Sequence, residues 1–115
     1  MSGQSDRQSA PAMVAQAQSV ADLVDYREGS IVSRVVLGSK VGNVTLFAFD
    51  AGQGLSEHTA PFDALVHVFD GEAEIVISGK AIAVSSGQMV IMPANEPHSV
   101  KANRRFKMVL TMIRA

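Results

Sequence analysis

The chain has 115 residues, enough for one domain around a single small core and too few for two. Ten Lys and Arg against eleven Asp and Glu give a formal net charge of −1, and only Lys101, Arg104, Arg105 and Lys107 cluster, so no basic track awaits a phosphate backbone and nucleic acid is excluded as an expected partner. Without cysteine there is no disulfide, thiolate nucleophile or Cys-ligated zinc; the opening MSGQSDRQSA lacks a charged-then-apolar leader, and no apolar run reaches membrane-spanning length, so a cytoplasmic protein with no membrane partner is expected.

Residues 1–12 are small and polar with no apolar period and are expected to form a disordered tail, leaving 13–115 as the single domain. From Met13 to Val24 the apolar residues are unevenly spaced, and Ser19 with Asp22 resembles a capping box, which predicts a short helix or extended segment ending before Tyr26. After Gly29 the pattern changes to β-branched runs bounded by turn residues: IVSRVVL, NVTLFAFD, DALVHVF, EAEIVIS, KAIAV, MVIM, HSVKA and FKMVLTMI. Asp70-Gly71 and Gly79-Lys80 suit tight hairpin turns, because glycine accepts positive φ. Many short strands with little helix predict an all-β sandwich or barrel.

Alternation assigns faces. In SEHTA, His58 and Ala60 oppose Glu57 and Thr59, and in HSVKA, His98, Val100 and Ala102 oppose Ser99 and Lys101. Both histidines therefore have inward parity. In the run from Ala64 to Phe69 both faces are apolar, Ala64, Val66 and Val68 on one and Leu65, His67 and Phe69 on the other. The second face needs a cover, either the N-terminal segment or a partner subunit, and a homodimer is expected.

Two stretches resemble the signature motifs of the cupin superfamily. His58 to Gly71 keeps the spacing between the first motif's leading histidine and closing glycine, and Gly87, Pro93 and His98 fall at the second motif's intervals. The resemblance covers about residues 50–103 and implies a double-stranded β-helix, the jelly-roll barrel of RmlC-like cupins. Metal-binding cupins use two histidines and a glutamate of the first motif with a histidine of the second. His58 matches the first ligand and His98 the last, whereas Ala60 and Ala64 replace the other two. Asn95 stands in the place of a glycine, a mild change because Asn also adopts the left-handed conformation, and Ala102 replaces the motif's asparagine, with Asn103 next to it.

A site of two imidazoles suits zinc, iron, nickel, manganese or copper only weakly, since protein sites usually supply three or more ligands. Parity turns Glu57 and His67 away from it, and Asp63, beside the lost carboxylate, joins only if a bulge near Pro61 reorients it. Otherwise Asp63 caps or bridges a turn after Pro61, and His67 is a buried or interfacial histidine with a satisfied ring. Met92, Met108 and Met112 are flexible core filler that also suits the wall of an apolar cavity, not ligands. Metal-free cupin epimerases pair a histidine base with a tyrosine acid, but the single tyrosine, Tyr26, lies outside the motifs. Ser85, Ser86 and Ser99 have no His-Asp relay, and GQG at 52–54 is too short to cradle phosphate.

Three functions follow. The chain binds a small molecule in the barrel, without catalysis or with an uncharacterised activity, through His58 and His98 among Phe47, Phe49, Val66 and Met92; or it is a divalent-metal enzyme of oxygenase or isomerase type, with His58 and His98 as ligands; or it is a structural dimerisation module. The first is preferred, because coordination depends on donor atoms present and two are missing.

Overall fold

The computed structural model describes residues 13–114, so the expected tail at 1–12 lies outside the described residues. Eight strands of the described residues follow the short 3-10 turn Val20–Asp22: β1 (Ile31–Ser39), β2 (Gly42–Phe49), β3 (Gly54–His58), β4 (Asp63–Ile77), β5 (Lys80–Ser85), β6 (Met89–Met92), β7 (His98–Lys101) and β8 (Phe106–Ile113). No helix of the described residues is long and apolar enough to cross a membrane.

The sheet runs β1-β2-β8-β4-β7-β3, with β5 and β6 also paired to β4. Fifteen-residue β4 belongs to both layers of the barrel. Its first half pairs with β6 and β8, and its second half with β5 and β7. Here two expectations are corrected. Asp70-Gly71 is not a hairpin turn, and DALVHVF and EAEIVIS form one strand bent at a bulge between Val68 and Asp70. An extra residue bends a strand without ending it, which lets β4 pass from one layer to the other. Gly71 has φ +72° there, and the loop after β5 grips the bend: Gly87 N–H donates to Val68 O at 2.8 Å and Ser86 N–H to Gly71 O at 3.0 Å. The true tight hairpin is Ser78-Gly79, both at positive φ, closed by the Ile77–Lys80 pair. That places the turn one residue earlier than Gly79-Lys80.

The helix expected over 13–24 shrinks to Val20–Asp22, and Ser19 makes no side-chain cap. The segment is instead a strap over the outer face of the β1-β2-β8 layer. Val24 is buried against Leu46 and Ala48, with Phe69 and Val109 packed on the same cluster. Lys107 Nζ donates to Ala21 O at 2.8 Å and Arg34 to Leu23 O at 3.1 Å, which satisfies carbonyls that no helix uses. Tyr26 donates its hydroxyl to Asp70, and burial first, then that carboxylate, raises the phenol well above its ordinary range. Asp50 accepts from Arg105 Nε at 2.8 Å and from Gly29 N–H at 2.7 Å, and this pairing holds its carboxyl below the usual range.

The main core lies between the layers. Phe49, Val66, Val68, Ile75, Phe106 and Met108 are fully shielded, and the Phe49 and Phe106 rings stack at 4.6 Å. Inward burial follows the parity read from HSVKA: His98 is 5%, Val100 4% and Ala102 1% exposed.

Candidate functional site

β3, absent from the expected strand runs, is decisive for the site. It pairs with β7 as Leu55–Val100 and His58–His98, three residues on β3 against two on β7. Without this bulge Leu55 and His58 would face opposite sides, since side chains alternate. With it, both line the interior. His58 Nδ1 then reaches Ser56 O, within the bulge, at 2.8 Å, while His98 Nδ1 reaches Glu96 O at 3.2 Å.

The two rings meet edge to face, centroids 4.4 Å apart at 71°, with 3.1 Å between the two Nε2 atoms. A carbonyl oxygen only accepts, so each Nδ1 must carry the ring proton in these bonds. In neutral rings both Nε2 atoms are then acceptors, turned towards each other. Such a pair is bonded only when something electrophilic stands between or in front of it, a proton or a metal ion.

The pair closes one end of a cavity of about 160 Å³. Besides the imidazoles its wall is hydrocarbon and thioether, with Leu55, Phe62, Met92, Met108, Leu110 and Met112 as the larger side chains. His98 is buried and His58 is exposed at the rim. Neighbouring loops are tied around this mouth. Asp63 Oδ1 accepts from Ala94 N–H at 2.8 Å, and Asn95 N–H donates to Ala60 O at 2.7 Å, with Asn95 in the left-handed conformation at φ +65°. Asp63 therefore clasps the loop between β6 and β7 at Ala94, rather than a turn after Pro61.

Not every expected lining residue is at the cavity. Of the six, His58, His98 and Met92 line it; Phe47, Phe49 and Val66 do not. All three have inward parity, but Val66 is wholly enclosed by core, and Phe47 packs 5.8 Å from Phe49, which is occupied by Phe106. Parity gives the side a residue faces, not its depth in the barrel. His67 is exposed in the single chain rather than buried. Glu57 is also exposed, and Asn103 donates to Glu74 at 3.2 Å, outside the site. Leu55 and Phe62 were not singled out from sequence. The bulge that turns Leu55 inward has no mark in the residues, whereas Leu110 shares the parity of Met108 and Met112 and was within reach.

A family model described as a cupin domain matches residues 45–114. The chain is a cupin. Among solved structures it resembles a conserved protein of unknown function from Streptococcus pyogenes, with 31% identity and TM-score 0.84 over 88% of this chain and 89% of that one. A cupin superfamily protein from Desulfitobacterium hafniense matches at 26% identity and TM-score 0.83 over 88% and 93%. A cupin 2 conserved barrel domain protein from Leptotrichia buccalis is 39% identical with TM-score 0.79 over 82% of this chain, which spans 46% of that longer one. No curated protein matches.

Cupins often bind metal, so the donor set of this cupin has to be tested against such an ion. Two imidazoles bound to one ion at about 2.0–2.1 Å, in neighbouring positions, would have nitrogens about 3.0–3.5 Å apart, and the observed 3.1 Å falls within that span. Carbonyl-anchored Nδ1 atoms are also the usual support for imidazole ligands. Yet among the described residues no three or more His, Cys, Asp or Glu side chains are grouped so that they could hold a metal ion. The residues thus supply half of the family's ligand set and do not fit a carboxylate-completed divalent site.

Proposed function

We propose that this cupin binds a compact, largely apolar molecule in its barrel, held by one acidic hydroxyl or carboxyl group on the Nε2 atoms of His58 and His98, and that it does so without catalysis. The observation that carries this reading is the convergence of two acceptor nitrogens, 3.1 Å apart, whose ring protons are both committed to backbone carbonyls. An acidic group supplies the missing proton, which the pair then shares with the bound oxygen, and charge-assisted bonds of this kind are the stronger ones. The volume of about 160 Å³ is the share of roughly five liquid waters, so the molecule is small. No other titratable side chain lines the cavity. Tyr26, bonded to Asp70 on the outer surface, leaves a histidine base without an opposing acid.

Calorimetry with benzoic acid, phenol and short-chain carboxylic acids, each beside its methyl ester or ether, tests this. We expect at least one acid to bind, its blocked partner not to, and His98→Ala or His58→Ala to weaken binding at least tenfold, about 1.4 kcal/mol. Equal binding of acids and blocked partners, or unchanged affinity in both variants, overturns the reading.

The working unit in this proposal is a homodimer. Support comes from the outer face left uncovered by the strap, where Leu65 pairs with Ile91 and Thr111, and His67 with Met89. Met89 is 63% and Ile91 56% exposed. None of these side chains carries a formal charge at neutral pH, so a second copy meets no like-charge repulsion. Light scattering at micromolar concentration is expected to give twice the chain mass, and Ile91→Glu with Met89→Glu a monomer. A monomeric parent chain defeats the expectation.

A further inference from the structure

The cavity wall around Ala64 suggests a second occupant of the same nitrogens. Ala64 stands where the family's carboxylate ligand would be, and its two cross-strand partners are Met92 on β6 and Met112 on β8. Directly paired residues share a face, with Cβ atoms about 4.5–5.5 Å apart. Both thioethers therefore flank the empty ligand position, and both line the cavity with His58 and His98. Met108 lies deeper, fully shielded.

Thioether sulfur is a poor partner for hard or borderline divalent ions and a good one for copper(I), while imidazole accepts copper as readily as zinc. Geometry narrows the choice further. Two imidazoles alone hold copper(I) best in a straight line, which would put their nitrogens about 4 Å apart. The observed 3.1 Å closes that arrangement. An ion held by this bent pair needs a third donor from the wall, and apart from the two rings the side chains lining the cavity offer only methionine sulfur.

We propose that this cavity is a copper(I) site, with His58 and His98 Nε2 and the sulfur of Met92, Met112 or both as ligands. The substitutions that removed the family's hard donor would thus have changed the metal rather than abolished it. The ion arrives and stays as copper(I), so no redox step is involved. It competes with an acidic molecule for the two nitrogens, and the proposal goes beyond the small-molecule reading while sharing its histidine pair.

Methionine-to-leucine changes isolate the part played by sulfur, because they preserve volume and apolar character. In an anaerobic titration of the tag-free chain with copper(I) against the chromophoric chelator bicinchoninate, we expect one copper per chain, lost on His98→Ala. Met92→Leu with Met112→Leu should weaken copper(I) at least a hundredfold and leave zinc(II) affinity within threefold. At least one of the single changes should cost tenfold or more if the double variant folds poorly, and X-ray absorption of the loaded parent chain should show sulfur scattering that the Leu variants reduce. Absence of copper(I) binding, tighter zinc(II) than copper(I), or copper(I) affinity indifferent to both methionines overturns the proposal. A chain that binds acids but fails these copper tests keeps the first reading and loses this one.

Discussion

Phe49→Ala is expected to make the chain unfold about 4 kcal/mol more easily, within the range for truncating a buried phenylalanine. Phe49 is fully shielded and stacked on Phe106 at 4.6 Å with the rings 10° from parallel. Removing one ring forfeits its transfer from water and leaves a gap that the rigid sheets on either side close only in part, and it also ends a ring pairing that is itself worth about 0.5–1.5 kcal/mol. Against a total stability of about 5–15 kcal/mol for a single domain, that is a large share. Urea unfolding followed by far-UV circular dichroism measures it. Because Phe49 does not line the cavity, ligand affinity of the still-folded variant should stay within about threefold of the parent. A loss under about 1.5 kcal/mol would mean that the two rings do not form the centre of the core.

Gly71→Ala should cost about 3 kcal/mol, and the comparable Gly79→Ala only about 1 kcal/mol. Both glycines have positive φ, +72° and +80°, so both pay the left-handed strain of a side chain. What separates them is space. A Cβ at Gly71 would lie 2.2 Å from Arg105 O and 3.1 Å from Phe106 Cα, whereas at Gly79 it meets nothing within 4 Å. Those neighbours are backbone of the paired strand, so relief requires β8 to move away and disturb Phe106. If Asp70-Gly71 were an exposed hairpin turn, the two substitutions would be equally mild. Unfolding midpoints of the pair decide the point, and a difference below about 0.5 kcal/mol would contradict the continuous, bulged β4.

That misreading shows what could be read from the residues. Asp-Gly between two alternating runs is the strongest short-range hairpin signal, yet the same glycine serves a bulge where a strand changes layers, and nothing local distinguishes the two. The deciding contacts come from Arg105 and Phe106, far along the chain. By contrast, the inward face of β7 was legible, because its four residues pair with β4 without irregularity and preserve alternation from His98 to Val100. His58 reached the correct side through the motif spacing and the parity of SEHTA, but that parity, extended back to Leu55, would have turned this side chain outward; the bulge restores it. Membership of the cavity was only half legible. Met92, Met108 and Met112 were seen as wall, whereas Phe47, Phe49 and Val66 share the inward side but are taken up by core packing. Depth along the barrel is set by strand stagger, which is a property of pairings rather than of any one strand.

β4 exchanges hydrogen bonds with β5, β6, β7 and β8. A ribbon shared by both walls denies either wall a separate existence. Peeling one away strips half the partners from the other, so heat or denaturant should find no half-open barrel to populate. Assembly inherits the same constraint in reverse: the middle of the chain must wait for its last strand, still to emerge during synthesis, before the closed form can appear.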